Sequence, residues 1–171
     1  MNKKQGETAQ AAMSSQKRSP AQPAWTGKPW EMPRFRNWIA VAKLHQLVCR
    51  TMSDELAPLG LKLPHYDIMA TIARYPELSQ QELANRLLVG RSNLSMLLPE
   101  LESRGYVERI ADKDDKRVRR LKLTPAGKAL TLEAIAVHVA LIERMMSVCS
   151  EEECSMIGDH MRRMGAELAK K

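Results

Sequence analysis

The chain has 171 residues, a mass of 19.3 kDa and 44% apolar residues, which suffice for one folded core. Its 27 Lys and Arg residues outnumber 20 Asp and Glu residues, so the net charge is +7 and the pI is about 9.5. Aromatic residues make up only 4%, which argues against a β-sandwich. We expect no membrane span, because no apolar run reaches about 18 residues. The polar first 24 residues and the three cysteines predict a cytoplasmic protein with neither a secretory leader nor a disulfide framework.

The N-terminal residues 1–32 form the first predicted region, a basic disordered tail. Residues 1–38 carry seven Lys and Arg against two Glu, a net +5 of the total +7. Up to about residue 24 the composition is rich in Gln, Ser, Ala and Pro, without apolar periodicity. Two interpretations stay open: a tail that raises affinity for a phosphate backbone, and a solvated tail that keeps the protein soluble.

A long first helix is predicted from about Pro33 to Leu59, and Gly60 ends it. Apolar positions recur at spacings of three and four along one face, and a second apolar surface lies beside it. The first face comprises Phe35, Trp38, Ala42, His45, Cys49, Met52, Leu56 and Leu59. A helix that is apolar on two sides is typical of one that packs against its own core and against another chain.

Two short helices joined by a tight turn form a predicted helix-turn-helix. A separate helix over about 65–74 comes before the motif. Ser79-Gln80-Gln81-Glu82 then begins the first short helix of the motif, which runs to about Leu87, and its Ser and Glu have the spacing of a capping box. A turn at Val89-Gly90-Arg91 leads into a helix that Gly105 ends. Its predicted buried stripe comprises Leu94, Leu97, Leu98 and Leu101, whereas Ser92, Asn93, Ser95, Met96 and Pro99 are predicted to face outward.

A charged hairpin, or wing, follows the helix-turn-helix. Residues 106–110 and 118–124 alternate like strands, and residues 109–122 hold seven basic and three acidic side chains. A loop this basic beside a helix-turn-helix favours contact with phosphates or with a minor groove, and the alternative is a solvated hairpin tip.

Two more helices are predicted after the wing. Thr124-Pro125 is an N-cap with Pro at the first helical position, and the helix runs to about Val148. Ser150 and Glu153 have the spacing of a second capping box before the last helix. The predicted fold class is therefore mainly α, an α+β winged helix with six helices and a two-stranded wing. Residues 33–60 and 124–171 form its helical dimerisation region, and residues 61–123 form the DNA-binding core.

The stretch from Leu61 to Gly127 resembles the MarR family of winged helix-turn-helix transcriptional regulators. Six matching pieces occur in the family's order and spacing: 63–69, 78–84, 91–95, 101–109, 115–117 and 121–127. In architecture the resemblance covers about residues 33–171. It implies a homodimer on a pseudo-palindromic duplex operator, with each recognition helix in a major groove and each wing near a minor groove. Repression released by a small aromatic effector is the usual mode.

The resemblance also assigns DNA-contact positions. The groove-facing set comprises Arg91, Ser92, Asn93, Ser95 and Met96, and the phosphate-facing set at a helix start is Ser79, Gln80 and Gln81. Arg117 matches the family's wing arginine, and Asp115 is expected to orient it. The other wing cations are generic candidates for the DNA backbone, with solvated surface charge as the open alternative: Lys113, Lys116, Arg119 and Arg120.

Three positions depart from the family pattern. Gly90 replaces a common capping Ser, and Met96 replaces a frequent Arg. Pro99 lies inside a helix, where the lost hydrogen bond costs ~3 kcal/mol and predicts a kink.

Residues that could converge beside the core are candidates for an effector pocket: Arg36, His45, Cys49, Met52, His65, Met69 and His138. Apolar walls with a few polar groups suit a planar aromatic ligand, and the N-terminal cations suit an aromatic acid or its coenzyme A thioester. His45 and Cys49 could instead be a redox thiol beside a base, or ordinary core. No catalytic, cofactor or metal motif is recognisable, so neither an enzyme nor a metal site is expected, and a non-specific architectural DNA-binding protein is the remaining rival.

Overall fold

A computed structural model describes residues 27–87, 91–112, 115 and 117–170, with the backbone alone at 91–93. The predicted tail up to residue 26, the turn at Val89-Gly90 and the wing lysines Lys113 and Lys116 lie outside the described residues. The chain divides into two compact units, residues 1–40 and 41–171. In the first unit, a 3-10 helix over Pro29–Glu31 precedes the start of the first α-helix.

Six α-helices and one antiparallel hairpin make up the described fold, which confirms the predicted fold class. The helices are α1 (Pro33–Leu56), α2 (Leu63–Arg74), α3 (Gln80–Arg86), α4 (Arg91–Ser103), α5 (Pro125–Met146) and α6 (Glu151–Leu168). The strands are β1 (Val107–Ala111) and β2 (Arg119–Leu123), paired so that Arg109 faces Leu121. A 3-10 turn over Ala57–Leu59 and Gly60, at φ 65°, end the first helical region.

The helix boundaries follow from local chemistry. Ser79 caps α3 and Ser150 caps α6, and both predicted capping boxes are present with reciprocal hydrogen bonds. Thr124 Oγ1 accepts from Gly127 N at 3.0 Å and so begins α5. Gly105 ends α4 at φ 72°, a left-handed conformation that favours glycine.

The core of the second unit lies between α2, α4, α5 and the hairpin. The largest fully buried apolar side chains are Met52, Leu56, Ile68, Met69, Ile72, Leu83, Leu94, Leu98, Leu101 and Leu121. The segment before α3 meets the hairpin through an isolated β-bridge between Ser79 and Arg120, and Leu121 N donates to Leu78 O at 2.8 Å. This pairing fixes the start of α3 against the wing.

Helix α5 is the one described helix that is long and apolar enough, at a mean hydropathy of 1.4, to cross a bilayer. Lys128 and Glu133 interrupt the apolar residues of α5, so the sequence has no continuous apolar run of about 18 residues there. The mean hydropathy of the helix nevertheless stays high. In the fold, α5 packs against α2 and β2 and buries Thr131, Ala134 and Leu141. These contacts bury 22% of the most apolar stretch of α5 within the single chain.

Candidate nucleic-acid interface and effector pocket

The start of α3 is fixed by a capping box. Ser79 N donates to Glu82 Oε2 at 2.8 Å, and Glu82 N donates to Ser79 Oγ at 3.2 Å. The Ser79 hydroxyl also donates to Glu82 Oε2 at 2.7 Å, and these hydrogen bonds from Ser79 lower the pKa of the Glu82 carboxyl. The hydroxyl of Ser79 is therefore used inside the fold, and the predicted phosphate contact at this helix start, which depends on backbone N–H groups, stays a prediction.

The two glutamines that follow the cap differ in exposure. Gln81 is exposed, and its Nε2 donates to Asn85 Oδ1 at 2.9 Å one turn later. Gln80 is half-buried. Both lie in the first turn of α3, where backbone N–H groups are unpaired within the helix, so their contact with phosphates stays a prediction.

Helix α4 has one buried face and one open face. Leu94, Leu98 and Leu101 are at most 1% exposed, whereas Met96 is 71% exposed and Ser95 is exposed beside it. Arg91, Ser92 and Asn93 form the first turn, and their side chains lie outside the described part of the chain. The helix continues through Pro99 to Ser103 without interruption; the kink stays a prediction. The face opposite the leucines is available to a groove.

The wing presents one strongly exposed guanidinium. The Arg117 side chain is 95% exposed, and its Nε lies 3.8 Å from Asp115 Oδ1. The same carboxylate oxygen accepts from Arg117 N at 2.9 Å, and Asp115 N donates to Asp112 Oδ1 at 3.0 Å. These hydrogen bonds of Asp115 hold the backbone of the wing turn next to Arg117. Arg119 is also exposed.

Arg120 is bonded inside the fold, unlike the exposed side chains of Arg117 and Arg119. Its Nε donates to Asp112 Oδ2 at 2.5 Å and its Nη1 to Glu82 Oε2 at 3.0 Å. The hydrogen bond that Arg120 donates to Asp112 raises the pKa of the Arg120 guanidinium. The side chain therefore joins the hairpin to α3. The sequence did not predict this bridge, because it showed only a basic residue within an alternating strand pattern and gave no sign of its partners.

Six of the seven predicted effector-pocket residues lie in the second compact unit, where the structure places them in different surroundings. Met52, His65 and Met69 are at most 2% exposed and belong to the core. His45 and Cys49 contact each other along α1, with Nε2 and Sγ 3.6 Å apart. Arg36 belongs to the other compact unit of the chain. Of the seven, His138 lines a cavity of the described residues. A helical period in the sequence does not distinguish residues that line a pocket from residues of the core.

That cavity, here called the effector pocket, has a volume of about 610 Å³ between α2, the end of α3 and α5. Its polar lining is Tyr66, Asp67, Thr71, Arg74, Tyr75, Arg86 and His138. Tyr66 Oη lies 2.7 Å from His138 Nδ1, and the two rings meet edge to face. Burial raises the pKa of Asp67 and of Tyr66.

Two arginines sit at the pocket beside an aromatic ring. The Arg86 guanidinium lies 4.0 Å from the Tyr75 ring centre, and that of Arg74 lies 5.3 Å away. Stacking on an aromatic face holds a guanidinium in place while it keeps donors free for an anion. Sequence reasoning missed both; the basic last residues of α2 and α3 were the cue that could have found them.

The Cys154 thiol and the grouping of metal-ligating side chains can be assessed for the described part of the fold, residues 27–87, 91–112, 115 and 117–170. No group of three His, Cys, Asp or Glu is placed to hold a metal ion there. Burial raises the pKa of the Cys154 thiol, which disfavours the reactive thiolate.

Comparison with known proteins identifies the DNA-binding core. The model of the MarR family matches residues 59–118. The transcriptional regulator HosA of Escherichia coli O157:H7 is 31% identical over 104 residues, which cover 61% of this chain and 77% of HosA.

Two solved structures share the fold. A mutant of MarR from E. coli complexed with operator DNA superposes with a TM-score of 0.69 at 21% identity, covering 81% of this chain and 99% of that one. The organohalide-sensing regulator RdhR in its 2,4-dichlorophenol-bound form has a TM-score of 0.70 at 17% identity, with 85% and 88% covered. The chain thus belongs to the MarR family of winged helix-turn-helix, DNA-binding transcriptional regulators, which are not enzymes.

Proposed function

We propose that this protein is a homodimeric, sequence-specific repressor that a small aromatic acid releases from a pseudo-palindromic operator. The observation that carries this proposal is the open face of α4, with Ser95 and Met96 exposed opposite a stripe of buried leucines. A helix with one buried and one exposed face beside a basic wing has the geometry for major-groove entry. Such a protein acts where the operator is, in the cytoplasm, and needs no membrane.

The dimer is supported by apolar surface on the terminal helices. Helix α6 buries no residue, and Ile157, Met161 and Met164 are 42%, 43% and 52% exposed along one side. On α1, Leu44 and Leu47 are 49% and 60% exposed. Large apolar side chains that recur exposed along one side of a helix favour an interface in soluble proteins. A second copy is the occupant that the family resemblance implies.

The DNA contacts divide into two classes. We assign the exposed side chains Ser95 and Met96, with Arg91, Ser92 and Asn93 of the first turn, to the major groove. Arg117 is assigned to the minor groove, with Arg119, Gln81 and the wing lysines Lys113 and Lys116 on phosphates. In a two-fold dimer the half-sites are centred about 34–36 Å apart, which is one turn of DNA.

The effector pocket favours an aromatic acid. Arg74 and Arg86 can clamp a carboxylate, and the rings of Tyr66, Tyr75 and His138 can contact a planar body. The 2,4-dichlorophenol bound to RdhR is likewise a small aromatic molecule. A free acid or phenol fills such a pocket, and a coenzyme A thioester would need to extend beyond it.

The pocket also offers a path from ligand to DNA. Arg86 is the last residue of α3, and Arg74 is the last residue of α2. A carboxylate held between them changes the spacing of those helix ends, and α3 is the first helix of the helix-turn-helix. The effector then binds one arrangement of α3 better than the other, which is the condition for coupling.

The test combines three measurements on the purified full-length protein. Sedimentation velocity gives the oligomeric state, selection of genomic fragments gives the operator, and fluorescence anisotropy gives affinity for operator and unrelated duplex. We expect a dimer, a preference of ~10³ or more for the operator, and release by benzoate or a hydroxybenzoate. A monomer, or equal affinity for all duplexes as in an architectural protein, contradicts the repressor. Failure of every aromatic acid and phenol contradicts only the effector assignment.

A further inference from the structure

A second cavity lies nearer the start of α5 than His138, between the end of α2, the turn before α3, β2 and the first turns of α5. Its volume is about 270 Å³. Its floor consists of Ile72, Leu123 and Thr131, which are 2%, 4% and 1% exposed. The Thr131 hydroxyl donates to Gly127 O at 2.6 Å, so the floor offers no unsatisfied hydroxyl to a ligand. We call this cavity the wing-base cavity.

The remaining walls of the wing-base cavity are aliphatic. They comprise Ala73, Pro76, Leu132 and Ile135, and no aromatic ring is among its described lining residues. The effector pocket, in contrast, is lined by two tyrosines and a histidine. An aliphatic lining without a stacking partner suits a flexible hydrocarbon chain better than a planar ring. The volume lies just below the range of drug-sized sites, which limits the occupant to a small molecule.

The rim of the wing-base cavity is positively charged. Lys122 and Lys128 are both exposed there, and within the described part of the chain neither forms an ion pair. Glu77 is the one carboxylate among the lining residues, so the rim carries two positive charges and one negative charge. Lys128 also lies in the first turn of α5, where the helix dipole favours an anion.

We propose that the wing-base cavity binds a medium-chain aliphatic monocarboxylate. The hydrocarbon chain lies on Ile72, Leu123 and Ile135, and the carboxylate lies at the rim between Lys122 and Lys128. This binding does not depend on the proposed effector or on the operator, because it uses a separate set of residues. It adds a second ligand class, aliphatic acids, to a protein whose other pocket suits aromatic ones.

The position of this site places its occupant against two DNA-binding elements. Glu77 has a φ of 63°, a left-handed conformation for a non-glycine residue, at the turn that leads into α3. The next residue, Leu78, accepts from Leu121 N of β2 at 2.8 Å. A chain in the cavity contacts the turn through Pro76 and the wing strand through Leu123. The ligand would therefore contact both sides of the hydrogen-bonded connection between the start of α3 and the wing.

The test is isothermal titration calorimetry of the full-length protein with octanoate, with octan-1-ol as the uncharged probe. We expect saturable binding of one octanoate per chain and weaker binding of octan-1-ol. Ala73→Phe fills the cavity from an exposed helical position and should abolish binding. Lys122→Met and Lys128→Met should each weaken binding by about two- to five-fold, as expected for exposed ion pairs. Lys170→Met, which removes the same charge far along the sequence beyond α6, should leave it unchanged.

Two further outcomes separate this site from the effector pocket. Arg86→Gln should leave octanoate binding intact, because Arg86 lines the other pocket. Absence of saturable octanoate binding to the wild-type protein overturns the proposal. Undiminished binding to Ala73→Phe, or loss of binding in Arg86→Gln, overturns it as well. The thermal unfolding curve of Ala73→Phe confirms that this variant is folded.

Discussion

His65 Nε2 lies 3.1 Å from Glu100 Oε2, and this contact joins α2 to the recognition helix α4. His65 is fully buried, and within the described residues its Nδ1 has no hydrogen-bond partner. The neutral tautomer with the proton on Nε2 fits this site, because it donates to Glu100 and leaves no unpaired N–H. A second proton on Nδ1 would be a buried donor without an acceptor. His65, a predicted effector contact, thus connects α2 to α4 in the fold.

Acid should therefore destabilise the fold through His65. Burial lowers the pKa of His65 below its usual 6.5, and this effect outweighs the opposite influence of Glu100. Between the lowered pKa and 6.5 the unfolded chain binds more protons than the folded chain, so the free energy of unfolding falls as the pH drops below about 6.5. Urea unfolding of the wild type and of His65→Gln at pH 7.5, 6.5 and 5.5 measures this. The variant should show the smaller dependence; equal slopes would exclude His65 as the cause.

The contrast between predicted and observed elements has a physical basis. Both capping boxes, the glycine that ends α4 and the leucine stripe were predictable, because each depends on residues within four positions or one helical period. The bridges from His65 to Glu100 and from Arg120 to Glu82 connect residues 35 and 38 positions apart. No local period encodes such pairs. They depend on how α2, α3, α4 and the wing pack.

Adjacent arginines on β2 provide a matched pair of variants. Arg119 is exposed, whereas Arg120 bonds to Asp112 and Glu82. Arg120→Gln should lower the melting temperature, because it removes the guanidinium that bonds to both Asp112 and Glu82. Arg119→Gln should leave the melting temperature unchanged and reduce the slope of log affinity against log salt by about 1, as expected for one lost phosphate contact. Scanning calorimetry and anisotropy titrations at several salt concentrations measure both. A lower melting temperature for Arg119→Gln and a reduced salt slope for Arg120→Gln would instead assign the structural role to Arg119 and the phosphate contact to Arg120.

Arg117 tests the wing contact. Its side chain is 95% exposed and only loosely held by Asp115, so its removal should cost little folding stability. Arg117→Ala should weaken operator binding by roughly 1–3 kcal/mol if the guanidinium reads a base edge. Arg163→Ala, an exposed arginine on α6, removes the same charge as a control. Equal affinity of the Arg117 variant and the wild type for the cognate operator would remove Arg117 from the interface.

Gly127 is required by a close approach of α5 to the hairpin. A Cβ at this position would lie 2.0 Å from the backbone oxygen of Tyr106. The backbone must shift to admit it, so Gly127→Ala should destabilise the fold by about 1–3 kcal/mol, the usual cost of overpacking. Ala126→Ser, at the exposed neighbouring position, should stay within about 0.5 kcal/mol of the wild type. Chemical denaturation gives the free energy of unfolding of both variants. Equal values would mean that the start of α5 moves away from Tyr106 at no cost, which would contradict the prediction.

The apolar side of α6 gives the test of assembly. Met161 is 43% exposed on a helix that buries no residue, so a charge there should cost the single chain little. In a dimer that covers this side, Met161→Glu buries two carboxylates without partners, which is strongly unfavourable. Sedimentation velocity should then show monomers at concentrations where the wild type is dimeric.

Arg163→Ala changes the charge of the same helix by the same amount and should remain dimeric. Because one chain occupies only one half-site, Met161→Glu should also lose most of its operator affinity, while its circular dichroism spectrum stays that of the wild type. A dimeric Met161→Glu variant with intact operator binding would move the interface away from this side of α6. The two-fold spacing of the recognition helices would then have to arise from another surface.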